Sequence, residues 1–95
     1  MFCGHGVGKV FHDEPNVMHC GVKGTGPIME EGMIFTIEPM INMGKKDGVI
    51  LSNGWTAVTC DHAWSAQFEH SLGVTKDGYE IFTYSPKGMD KPPYK

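Results

Sequence analysis

The sequence predicts a mostly antiparallel β protein, and three observations carry that prediction. Thirteen glycines and six prolines among 95 residues interrupt the chain too often for long helices. The runs "MIFTIEPMINM" and "AQFEHSLGV" are short and rich in β-branched and aromatic residues. Two turn dipeptides, Asn53-Gly54 and Asp77-Gly78, each stand between β-prone segments.

Along the chain, residues 1–15 are too rich in glycine, and too close to Pro15, for a helix. The equal spacing of His5, His12 and His19 therefore has no helical face to act on. Residues 16–22 read as a short strand, followed by the loop "KGTGP". Residues 30–43 read as one strand in which Ile34, Thr36 and Glu38 share a face and Phe35 and Ile37 share the other. "VILS-NG-WTAVT" predicts a hairpin with Asn53 and Gly54 at its centre, and "GVTK-DG-YEIFT" predicts a second. Between them, Gln67, Glu69, Ser71 and Gly73 alternate with Phe68, His70, Leu72 and Val74. The proline-rich end "SPKGMDKPPYK" reads as an extended tail over residues 85–95.

Ninety-five residues suit one small domain with one core. A net charge of −3 and scattered lysines provide no basic stripe for phosphates, so no direct nucleic-acid binding is expected. No apolar run approaches the roughly 20 residues that span a bilayer, and "MFCGHG" lacks the pattern of a signal peptide. A soluble cytoplasmic protein is the expectation. Three cysteines without C-x-x-C spacing point to reduced thiols. Cys3 reads as a small buried residue. A zinc site from Cys3, Cys20, Cys60 and His62 fits no known ligand spacing.

Glu38 and Glu69 each stand inside a run that otherwise favours burial. An ionised carboxylate there costs several kcal/mol unless it is paired or metal-bound. Residues 28–44 and 47–75 contain no Lys or Arg to supply the counter-charge. His5, flanked by Gly4 and Gly6 so that a cation can approach closely, is the natural nitrogen ligand. Chemistry alone leaves two readings open, solvent-facing or ion-paired glutamates and a divalent metal site.

Taken together, "GHGVGKVFHDEP", "FTIEPMI" and "SAQFEHSLGVT" resemble the C-terminal half of the type I methionine aminopeptidase family, over residues 3–83. The three motifs occur in family order, with 33 residues from His5 to Glu38 and 31 from Glu38 to Glu69. The compact link between "EPM" and "EH" is similar to type I rather than type II enzymes. The resemblance implies an α+β class: the C-terminal half of a pita-bread fold in residues 1–84, mostly antiparallel β and incomplete alone. It also implies a hydrolase that removes the initiator methionine from nascent proteins and peptides through a metal-bridged hydroxide. Two divalent ions (Mn, Fe, Co or Zn) are expected in the complete site, and a peptide or nascent-protein N-terminus as substrate.

Position by position, the resemblance assigns His5 and Glu38 as ligands of one metal, with Glu38 also helping to move the proton of the attacking water. Glu69 corresponds to the carboxylate that bridges both metals. His12 corresponds to a histidine that binds no metal but hydrogen-bonds the scissile peptide, and Phe11 and Trp55 to aromatic walls of the methionine pocket. His19, His62 and His70 match no assigned role and are expected to be surface or hydrogen-bonded structural residues.

The sequence departs from the family in one respect. A complete enzyme carries two more metal-ligand aspartates and another histidine upstream of "GHG", and here that motif starts at residue 4. Asp13, Asp47, Asp61, Asp77 and Asp90 lie downstream, in loops or turns. The expectation is a fragment, a truncated product or one part of a split enzyme, inactive alone, with the missing N-terminal half as a partner. The alternative is a non-enzymatic binding module that keeps the scaffold.

Overall fold

A computed structural model describes residues 2–94. It contains nine strands: β1 Gly4–Gly6, β2 Asp13–Val17, β3 Ile34–Ile37, β4 Met40–Asn42, β5 Gly48–Ile50, β6 Ala57–Thr59, β7 Ser65–Gln67, β8 His70–Thr75 and β9 Gly78–Ile81. Five form a sheet in the order β2-β1-β3-β8-β9, and β4-β7 and β5-β6 form two ribbons. Every pairing is antiparallel. Among the described residues there is no helix, so the helical part of the expected α+β class is not seen in this chain; the one long stretch free of glycine and proline, 55–72, is taken up by β6, β7 and the start of β8. Among the described residues no helix is long and apolar enough to cross a membrane.

The two long predicted strands are both broken, and at the same level. β3 and β8 pair from Ile34↔Gly73 to Ile37↔His70, and β4 and β7 resume from Met40↔Gln67 to Asn42↔Ser65. Residues Glu38 and Pro39 on one side, and Phe68 and Glu69 on the other, are left out of the ladder. Pro39 has no N–H to offer, so a ladder bond is impossible there. Only the Phe68 amide bridges the gap, donating to the Pro39 carbonyl at 3.4 Å.

The remaining differences have local causes. The first predicted strand lies earlier, at Asp13–Val17, and includes Pro15. It is an edge strand of the sheet, where a missing donor is tolerated. The second hairpin forms with Lys76 and Asp77 as its loop, because Gly78 is already paired with Thr75. The first closes through a six-residue loop, 51–56, rather than a two-residue turn. Asn53 Oδ1 accepts from the Trp55 and Thr56 amides at 3.0 and 2.9 Å, and Gly54 alone of the pair has positive φ, 71°. The side chain thus competes with the backbone for the turn. The C-terminal segment is not extended: it runs in turns, with Asp90 Oδ1 accepting from the Ser85 amide at 2.8 Å.

The core is small. Phe35 and Leu72, directly opposite each other on β3 and β8, are its buried hydrophobic residues, with Thr36 buried beside them. Phe11, Trp64, Phe68 and Tyr79 are mostly exposed. The accessible surface is 8064 Å², against roughly 5,400 Å² for a compact monomer of this mass. The radius of gyration is 15.3 Å, against about 12 Å for a compact chain of this length.

Candidate metal centre

β1 is three residues long and lies between β2 and β3, and its glycines make that possible. A Cβ on Gly4 would overlap the Thr36 carbonyl, and one on Gly6 would overlap the Glu14 carbonyl. His5 is therefore held with backbone close on both sides. Its amide donates to Thr36 Oγ1 at 3.0 Å. Its ring Nδ1 lies 2.9 Å from the Gly6 carbonyl oxygen. A carbonyl only accepts, so Nδ1 carries a proton and Nε2 is the ring nitrogen turned to the site, the one whose lone pair can serve a cation.

That lone pair meets two carboxylates at the break in the ladder. Nε2 is 3.2 Å from Glu38 Oε2 and 4.0 Å from Glu69 Oε1. The three ligand atoms all lie within 4.8 Å of one another. Glu38 is well held: Thr36 Oγ1 donates to its Oε2 at 2.8 Å, and its own amide donates to His19 Nε2 at 3.0 Å. The side chains of His5 and Glu38 are 12% and 16% exposed, whereas that of Glu69 is 43% exposed. Three acceptors converging on one point repel one another unless a proton or a cation lies between them. Ligands about 2.0–2.2 Å from a shared ion lie roughly 3–4.4 Å apart, so the observed spacings suit one ion. One imidazole and two carboxylates are borderline-to-hard donors that suit Mn, Fe, Co or Zn.

Two further predicted residues border this cluster. The His12 ring stands edge-on to the His5 ring, with centroids 4.4 Å apart. Phe11 is 4.1 Å from His12 and 5.9 Å from His5 by the same measure. Trp55 is not brought to the cluster: it is 88% exposed on the β5–β6 loop. Cys3 is half-buried, and Cys20 and Cys60 are exposed and free.

Two features of the cluster were not anticipated from the sequence, the role of Thr36 and the partner of the hydrogen-bonded His19. Thr36 carried a signal, because period two places it on the face of Glu38. His19 carried none: it lies 19 residues from the amide it accepts. His70 is structural, with Nδ1 2.8 Å from Thr83 Oγ1. Away from the cluster, backbone donation from Lys45 and then from Ala63 holds the Asp61 carboxyl below its ordinary value, which ties the turn after β4 to the turn after β6.

Comparison with known proteins gives this geometry a lineage. Residues 1–76 match the family model described as metallopeptidase family M24. The chain is 56% identical over 94 residues to the methionine aminopeptidase of Rickettsia prowazekii, covering 98% of this chain and 36% of that protein. It is 49% identical over 82 residues to the enzyme of Escherichia coli K12, covering 86% of this chain and 31% of that protein. The crystal structure of the Rickettsia prowazekii enzyme superposes with a TM-score of 0.82 at 55% identity, over 86% of this chain and 34% of that one. That of the Thermotoga maritima enzyme gives 0.80 at 42% identity, over 84% of this chain and 32% of that one. The chain thus spans about a third of the length of the relatives it matches. With the family model matched over most of its length, this chain belongs to metallopeptidase family M24.

Proposed function

We propose that residues 1–84 are the C-terminal half of a methionine aminopeptidase catalytic domain of the pita-bread fold, and that this half contributes three metal ligands to a complete site. The observation that carries the reading is the convergence of His5, Glu38 and Glu69 within 4.8 Å. In this reading His5 and Glu38 would hold one ion and Glu69 would be shared between it and a second, with two further carboxylates coming from outside this chain. When bound, the divalent ions supply Lewis acidity towards a peptide carbonyl and a water acidic enough to attack near neutral pH.

The chain's own residues do the rest. Glu38 accepts a proton from the attacking water in this reading. His12, packed on His5, hydrogen-bonds the scissile peptide where negative charge develops. Phe11, packed on His12, flanks the flexible thioether of an N-terminal methionine, and Trp55, which this chain leaves exposed on the β5–β6 loop, joins that wall only if the complete domain brings it in. The substrate is a peptide or nascent-protein N-terminus. Three free cysteines suit a reducing cytoplasm.

The excess surface supports a missing partner segment. A trough of about 440 Å³ lined by Ile37, Pro39, Phe68, Leu72, Tyr79 and Ile81 adjoins Glu69. Its mostly apolar lining suits contact with the upstream half of the domain.

The test is hydrolysis of a Met-Gly-containing peptide with Mn(II) under exclusion of oxygen. The chain is assayed alone and mixed with the upstream segment of a methionine aminopeptidase, beside a Glu69→Gln control. No turnover alone, turnover in the mixture and loss of it in the control are expected. Full activity of Glu69→Gln would remove Glu69 from the chemistry, and turnover by the chain alone would mean that the upstream carboxylates are not needed. A monodisperse protein indifferent to metal would favour the non-enzymatic binding module instead.

A further inference from the structure

Thr36 is the most deeply buried side chain described, at 1% exposure, and it is polar. Its hydroxyl accepts from the His5 amide at 3.0 Å and lies 2.8 Å from Glu38 Oε2. A hydroxyl has one proton. The His5 amide occupies an oxygen lone pair, and an ionised Glu38 can only accept, so the proton is committed to the carboxylate. A continuous relay therefore runs from the backbone of β1 through Thr36 to Glu38. It joins two predicted ligands that stand 33 residues apart in sequence.

We infer that Thr36 is a positioning residue for the metal centre, setting the Glu38 carboxylate against His5 Nε2 before any cation arrives. The inference rests on the metal-binding reading above. Glu38 lies at a break in the ladder, where no strand pairing fixes its side chain, and a free glutamate would sample several rotamers. The hydroxyl removes that freedom. It leaves the second lone pair of Oε2 turned to the cluster. β-Branching suits Thr36 to its strand, so the hydroxyl is delivered without helical or loop geometry.

The test compares the wild-type chain with Thr36→Val, which keeps shape and loses the hydroxyl, and Thr36→Ser, which keeps the hydroxyl. Mn(II) affinity is measured by calorimetry, and amide hydrogen exchange by NMR on the metal-free proteins. Thr36→Val is expected to lose affinity by roughly 10- to 100-fold, in the range seen for groups that orient metal ligands. Its His5 amide should exchange faster. Thr36→Ser should stay within about threefold of wild type, since the relay remains. A purely structural threonine would lower the melting temperature of both variants and leave the affinity of the folded protein unchanged, and that result would overturn the inference. So would a Thr36→Ser as damaged as Thr36→Val.

If Thr36→Val does not fold, or if the wild type binds no Mn(II), the hydroxyl proton of wild-type Thr36 decides. A slowly exchanging proton with a cross-peak to the Glu38 side chain supports the relay, and a freely exchanging one overturns it. Absence of Mn(II) binding by the wild type would count against the metal-binding reading itself, separately from the relay.

Discussion

Glu38 and Glu69 face each other across the same break in the strand ladder, yet they are held very differently. Glu38 is 16% exposed, takes a hydrogen bond from Thr36 on its carboxylate and anchors its amide on His19. Glu69 is 43% exposed and stands 4.0 Å from His5. One carboxylate is fixed by this chain, and the other waits for neighbours. The difference teaches that the two carboxylates of the proposed metal site are prepared unevenly within this chain: the one that pairs with His5 is set in advance, and the one proposed to bridge is not.

The largest effect should come from breaking the fixed side of that comparison. Glu38→Gln is expected to weaken Mn(II) binding to this chain on the order of 100-fold, and Glu69→Gln by no more than about tenfold. Titration calorimetry on the two variants checks the order, and equal losses would mean that the brace on Glu38 confers nothing. Next in size is Gly4→Ala, whose Cβ would overlap the Thr36 carbonyl and push β1 off β3. A destabilisation of about 1–3 kcal/mol is expected from such overpacking, with loss of metal binding. Gly8→Ala, four residues away, meets nothing within 4 Å and should melt like the wild type. Thermal unfolding of the pair separates close packing from a general intolerance of the motif.

A smaller effect is expected at His19. Its removal by His19→Ala leaves the Glu38 amide to water, costing about 0.5–1 kcal/mol of stability and a few-fold in metal affinity. If affinity is unchanged while stability falls, His19 supports the loop and not the ligand. The smallest effect lies on the ribbons, away from the glutamates. Because the folded Asp61 carboxyl is held below its ordinary value of 3.8, it contributes stability above that pH and loses it as pH falls through the lower folded value. The melting difference between wild type and Asp61→Asn should therefore narrow below about pH 3.8, with Mn(II) affinity near neutral pH unchanged by the substitution.

Much of this arrangement was legible in the sequence, for identifiable reasons. The strands follow from period-two patterning, and Phe35 and Leu72, on the faces opposite Glu38 and Glu69, form the buried pair, although Thr36 on the other face of β3 is buried as well. The glycine-flanked histidine and the two glutamates, with no Lys or Arg near them in sequence, left a cation site as one of two readings, and the family resemblance favoured it. The interruption of both strands at the glutamates was not legible. Pro39 signalled one break, but Phe68-Glu69 carries no such signal and breaks only because its partner does. The Asn53 loop was misjudged for a related reason: the dipeptide suggested a two-residue turn, and the asparagine side chain captured two backbone amides instead. His19 reaches Glu38 through a tertiary contact that no local pattern encodes.

The most direct test of the central claim is a crystal structure of this chain grown with Mn(II), with anomalous differences recorded at the manganese edge. The account predicts a peak about 2.0–2.3 Å from His5 Nε2 and a Glu38 oxygen, with Glu69 drawn in towards it. A manganese-loaded crystal with density elsewhere, or with Glu38 turned away from His5, would contradict it.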